Sequence, residues 1–172
     1  YAFQHFGLDD LVDVVSVGKI TQVCATVYTS EVNPAAGLLS QTFTGSTGSL
    51  HASRTILTGL RDGGFYGPEG RNMQFHQRFV DGIKAIGERH PGWVEGPFGV
   101  GAMVGFTPFG GDAAKNKALL MQLFDDGLLG FTAGKNPSRM RFLMPIGAVE
   151  MHHIDEALRL LEKSMSAVAS RS

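Results

Sequence analysis

Three residues carry most of the chemistry that this sequence could perform. Lys19 follows the β-branched run LVDVVSV at residues 11 to 17 and then Gly18, with Ile20 rather than another charge behind it. Stripping water from an ammonium at such a strand end lowers its pKa and frees the amine to attack a carbonyl and form a Schiff base. The competing reading is a solvated lysine that merely closes the strand. A phosphate loop of the form G-x-x-x-x-G-K-[ST] is excluded, because Asp13 holds the first glycine position and Ile20 has no hydroxyl to ligate magnesium. Thr42 lies in QTFTGSTGS, residues 41 to 49, where hydroxyls and glycines lead into a helix. Backbone N–H groups and the positive end of a helix suit a phosphate there, although the same residues also make an ordinary helix-leading loop. Arg141 sits in RMRFLMP, on a strand pattern, and offers a rigid two-pronged fork to a carboxylate. Arg139, two residues earlier, points to the same side and competes for that role.

The remaining reactive side chains read as structural. His152 and His153 are adjacent near a helix start, so they diverge by about 100° and cannot share a metal as an i, i+4 pair could. Cys24 falls in the second strand pattern and reads as a buried thiol. As the single cysteine it excludes an internal disulfide framework, and a reducing cytoplasm is the expected compartment. The methionines and phenylalanines, Met103, Phe124 and Met165 among them, read as core.

Two short runs, residues 11 to 17 and 23 to 28, predict strands of a covered sheet, and Lys19 falls between them. A helix follows, with Leu50, Ser53, Ile56, Leu57 and Leu60 on one face, ending near Gly63-Gly64. The glycines between residues 62 and 70 mark a boundary. A long helix then presents Phe79, Val80, Ile83 and Ile86 before Pro91-Gly92 stops it. Strands are expected over residues 93 to 97 and 100 to 106, the latter alternating Val100, Ala102, Val104 and Phe106 against Gly101, Met103 and Gly105. Asp112 caps a helix that Gly127 ends, short strands follow near 128 to 132 and 140 to 143, and Ile154, Leu158, Leu161, Met165 and Val168 stripe a last helix. The second part is a small α+β unit.

Composition narrows the partner. Charged residues are 18% of the 172 and Phe occurs 12 times, which excludes a disordered tail. No apolar run approaches the roughly 20 residues of a membrane span. The 15 basic and 16 acidic residues are mixed along the chain, so no face for nucleic acid or anionic lipid is expected. A small molecule or a second copy of the chain remains.

Taken in order, FQHFGLDDLVDVVSVGKITQVCATVY, TFTGSTG and RMRFLMPIGAVEMHHIDEALRLLEKSM resemble the C-terminal half of the class III pyridoxal-phosphate-dependent aminotransferases, the ornithine, 4-aminobutyrate and lysine type. The resemblance implies an α/β chain: the end of the large mixed-sheet domain of a fold-type I transferase over residues 1–66, and a small α+β C-terminal domain over 67–172. It implies that Lys19 carries pyridoxal 5′-phosphate as a Schiff base and that Thr42 reaches the cofactor phosphate of the neighbouring subunit. It also implies that Arg141 binds the substrate carboxylate. The phosphate loop departs from the family pattern at Gln41, Thr44, Ser46 and Thr47, so only its threonine carries over.

The implied substrates are an amino acid, with an ω-amino or amine-type donor group, and a 2-oxoacid; the implied assembly is a homodimer with a shared site. The family's acid against the pyridine nitrogen, its ring-stacking aromatic and its second phosphate loop have no counterparts in these residues. The chain therefore reads as part of something longer and is expected to be inactive by itself. A non-catalytic packing module and an aminomutase of the same fold are the competing readings.

Overall fold

In a computed structural model, the structure describes residues 1–38 and 45–171. The chain divides into two compact units, Tyr1–Gly63 and Gly64–Ser172.

The first unit opens with a one-turn helix, α1 (Ala2–His5), followed by strands β1 (Val14–Val17) and β2 (Ala25–Tyr28). The strands pair antiparallel, with Val14 opposite Tyr28 and Val17 opposite Ala25. A 3-10 turn, Lys19–Thr21, interrupts the connection between them. Helix α2 (Thr47–Asp62) starts at Ser46, whose hydroxyl accepts the Ser49 N–H at 3.1 Å. A groove of about 580 Å³ runs along this unit, lined by Val17, Val23, Ala25 and Val27 and by Leu50 and Leu57 of α2. The strands were expected in a covered sheet, and here the structure differs. No described side chain of this unit is fully buried, because two strands and one long helix cannot enclose an apolar face on all sides. Cys24 also departs from expectation: it precedes β2 and is exposed.

The second unit has a complete core. Its helices are α3 (Arg71–Arg89), α4 (Ala113–Asp125) and α5 (Met151–Ala169). Its strands are β3 (Val94–Val100), β4 (Met103–Pro108), β5 (Phe131–Ala133) and β6 (Arg139–Leu143), in the order β3-β4-β6-β5 with every pair antiparallel. Alternate residues of the two central strands, Val104 and Phe106, Met140 and Phe142, are buried beneath the helices with Phe79, Ile83, Leu119, Leu123, Leu161 and Met165. Phe79 and Phe142 meet edge to face with ring centroids 5.4 Å apart. Helices α3 and α5 run side by side in the same direction, clamped by the Arg78–Asp155 and Arg89–Glu162 ion pairs. Asp112 caps α4 by accepting the Lys115 N–H at 2.8 Å, and Gly127 follows the helix with φ +92°, as expected for its stop.

Three sequence expectations change here. The run from Val100 to Phe106 is two elements, since Gly101 and Ala102 form the turn between β3 and β4. Gly101 adopts φ +62°, open to glycine at no steric cost. Met103 is exposed because its place in the β4 alternation puts it on the face opposite Val104. Phe124 is exposed beside the buried Leu123, one helix position round the surface of α4. Met165 is fully buried, as read.

Candidate functional site

Lys19 begins the turn that follows β1, and its own backbone adopts φ +59°, a region that side-chain-bearing residues enter at a cost of roughly 1 kcal/mol. The Lys19 carbonyl accepts the Gln22 N–H at 2.9 Å and the Gln22 side-chain amide at 3.3 Å. Thr21 donates its hydroxyl to the Val23 carbonyl at 2.6 Å, which ties the far side of the same turn. A Cβ at Gly18 would meet Cys24 Sγ at 3.2 Å, so the chain before the lysine passes close to the strand after it. The lysine side chain itself is exposed and in no ion pair among the described residues. The desolvation expected from the sequence is therefore not present around it, since the strand pair beside it is open. The turn fixes where the amine starts, and the side chain leaves it free.

Thr42 lies outside the described residues. The helix that its loop precedes, α2, is capped by Ser46.

Arg141 stands on the face of the second unit's sheet that the helices leave open. Strand alternation puts it there, since its neighbours Met140 and Phe142 both point into the core. Across the sheet it pairs with Gly105 of β4 on one side and Phe131 of β5 on the other. Its guanidinium carbon lies 5.7 Å from the centroid of the Phe131 ring. The side chain is half-buried, and its Nε, shielded from solvent, donates to nothing among the described residues. A desolvated guanidinium N–H without an acceptor is costly, and a carboxylate arriving on this face would satisfy it. Arg139 shares the face, with its guanidinium carbon 5.3 Å from the Phe98 ring centroid.

The structure thus brings Arg141 and Arg139 together with Phe98, Phe131 and Gly105, whereas Lys19 belongs to the other unit. Phe98 and Phe131 were not singled out from the sequence. Only the cross-strand register, Phe98 opposite Gly105 and Phe131 opposite Arg141, brings them to the arginines.

Comparison with known proteins adds the following. No family model matches the chain. The L-lysine-epsilon aminotransferase of Streptomyces clavuligerus is 27% identical over 177 residues, which cover 98% of this chain and 36% of that protein. The solved lysine aminotransferase of M. tuberculosis superimposes with a TM-score of 0.81 at 24% identity, over 98% of this chain and 38% of that one. The ornithine aminotransferase of Toxoplasma gondii gives 0.80 at 22% identity, over 99% and 40%. The acetylornithine aminotransferase of Elizabethkingia anophelis gives 0.76 at 17% identity, over 95% and 43%. The fold is accordingly that of the C-terminal portion of such enzymes. The chain spans little more than a third of the length of the curated relative that it matches.

Proposed function

We propose, from a chain that resembles the C-terminal part of lysine, ornithine and acetylornithine aminotransferases in sequence and fold, that it serves pyridoxal-phosphate-dependent transfer of an amino group to a 2-oxoacid. The observation that carries the reading is the half-buried Arg141 guanidinium, with an unsatisfied Nε on an open sheet face. Amino acids and 2-oxoacids share the carboxylate it lacks.

Pyridoxal 5′-phosphate asks two things of these residues: a free primary amine for its carbonyl and donors for its phosphate. Lys19 fits the first requirement, being an exposed amine outside any ion pair among the described residues, on a turn held at both sides. Thr42 is the proposed phosphate contact, made to a neighbouring subunit of a cytoplasmic homodimer. When bound, the group supplies an electron sink conjugated to the amino group under transfer. Lys19 Nζ would hold the cofactor through its carbonyl group. The same amine would move a proton at the substrate carbon that bears nitrogen. Arg141 would fix the substrate by its carboxylate. These residues alone are proposed not to turn over, because they provide neither an acid for the ring nitrogen nor an aromatic face to cover it.

The test uses the full reading frame that encodes this chain. Borohydride reduction in the presence of the cofactor, followed by peptide mass mapping, should place one stable adduct on Lys19, and Lys19→Ala should lose both adduct and turnover. Arg141→Gln should raise KM for a 2-oxoacid by roughly ten- to a hundredfold, the worth of a charge-assisted hydrogen bond. Its effect on an amine donor lacking a carboxylate should be small. Undiminished turnover in Lys19→Ala overturns the proposal, and the absence of any adduct points to the non-catalytic packing module instead.

A further inference from the structure

A glycine inside a strand weakens the sheet, so it marks either a special backbone or a place that must stay open. Gly99 of β3 is the first kind: its backbone is left-handed at φ +115°, and a Cβ there would stand 2.2 Å from the Met103 carbonyl oxygen. Gly105, inside β4, differs on both counts. Its backbone is not left-handed, and a Cβ would stand 3.2 Å from the Met140 carbonyl oxygen, a contact that a shift of a few tenths of an ångström relieves. Beyond its chain neighbours, the one other described atom within 4 Å of that point is Arg141 Cβ, at 4.0 Å. The space over Gly105 is open.

The strand register says what that space adjoins. Phe98 of β3, Gly105 of β4, Arg141 of β6 and Phe131 of β5 stand in one row across the open face of the sheet. Gly105 alone in the row has no side chain, so the row has a notch beside the arginine, with Phe98 as its far wall. Two strand spacings, about 10 Å, separate Phe98 from Arg141, which leaves room for one aliphatic chain between them. The notch belongs to a hollow of about 400 Å³ that Val100 and Met103 also line, a volume within the range of small-molecule sites. A side chain at position 105 would fence the arginine on the one flank that Phe131 does not already occupy.

We infer that Gly105 is a specificity-determining residue: a carboxylate reaches Arg141 with its carbon chain lying over the bare backbone of Gly105, and the size of residue 105 sets how much chain is admitted. The inference rests on the proposed role of Arg141 and adds the steric part of recognition, which a charge cannot supply by itself.

Formate carries no carbon chain and butyrate carries one, so the two acids, titrated into the chain and followed by chemical-shift changes, separate the steric part from the charge. Gly105→Ala should weaken butyrate roughly tenfold, the discrimination that one methyl group supplies in a pocket, and change formate by less than about twofold. Gly105→Val should weaken butyrate further. In the parent, nuclear Overhauser contacts should join butyrate protons to the Gly105 α-protons, a readout that needs no variant. Equal weakening of both acids in Gly105→Ala would show that the glycine serves only the fit of β4 against β6, and overturns the inference. Unchanged butyrate affinity in that variant does so too, as does bound butyrate without contact to the Gly105 α-protons. Arg141→Gln keeps this result apart from the reading beneath it. If that variant loses both acids while Gly105→Ala changes neither, only the present inference falls; if it leaves both acids bound, the carboxylate role of Arg141 falls and takes this inference with it.

Discussion

Replacing Gly82 by alanine tests how tightly the helical layer behind the candidate site is packed. Gly82 lies within α3, where alanine is ordinarily preferred by about 1 kcal/mol. A Cβ at that position would stand 2.2 Å from Leu158 Cδ1, 2.5 Å from Cδ2 and 2.8 Å from Cγ. Leu158, on α5, is buried in the contact with α3, so it yields only by leaving its rotamer or by pushing the helices apart. Such overpacking costs roughly 1–3 kcal/mol, which outweighs the propensity gain and leaves Gly82→Ala about 1 kcal/mol less stable than the parent. Leu158→Ala alone should cost about 2–5 kcal/mol through the cavity it opens. In that background the new methyl has room, and Gly82→Ala should turn stabilising by about 1 kcal/mol. The sign change amounts to a coupling of about 2 kcal/mol between the sites. Urea unfolding followed by the emission of Trp93 would read it, since this single tryptophan stacks on His90 at the end of α3, with ring centroids 4.0 Å apart. A Gly82→Ala variant more stable than the parent, or additive effects in the double variant, would refute the reasoning.

Two further outcomes are expected. The Asp126 carboxylate accepts from Lys163, Gln122 and Ser164, and these contacts, the lysine first, lower its pKa from 3.8 to about 2. A depressed acid stabilises the fold above its unfolded pKa and loses that contribution as pH falls, so the loss belongs between about pH 4 and pH 2. Asp126→Asn should flatten the acid dependence of unfolding in that window while Glu156 and Glu162 titrate in both proteins; an unchanged profile counts against the network. Lys19→Gly should relieve the left-handed backbone of the turn and slow hydrogen exchange at the Gln22 N–H by roughly fivefold, about 1 kcal/mol of local stability. Faster exchange would show that the lysine side chain, and not the backbone, holds the turn.

How far the sequence could be read depended on how local each feature was. The stripes of α3 and α5, the Asp112 cap and the Gly127 stop are set by residues within a turn or two of one another, and all appear where the spacing put them. Arg141 was legible because a charge inside an apolar alternation must face away from the core. The aromatic supports were not, since nothing near Phe98 or Phe131 in the sequence reveals which strand each will face. The alternation through Val100 and Ala102 looked continuous, because a turn of two small residues leaves the apolar pattern on either side in phase. Cys24 and the strand beside it read as covered because β-branched runs usually are, and burial depends on elements that a run of residues does not contain. The left-handed backbone of Lys19 had no signal at all: glycine, which tolerates it best, stands one position earlier.

The alternation of β6 has a consequence for how the protein reaches its native state. Met140 and Phe142 enter the core while Arg139 and Arg141 face outward, so a slip of a single residue would exchange the two sets. Such a mispaired sheet would force two guanidiniums beneath the helices and expose a methionine and a phenylalanine to water. The outward-facing arginines thereby proofread strand pairing, since a sheet in the wrong register is penalised by the burial of their charges.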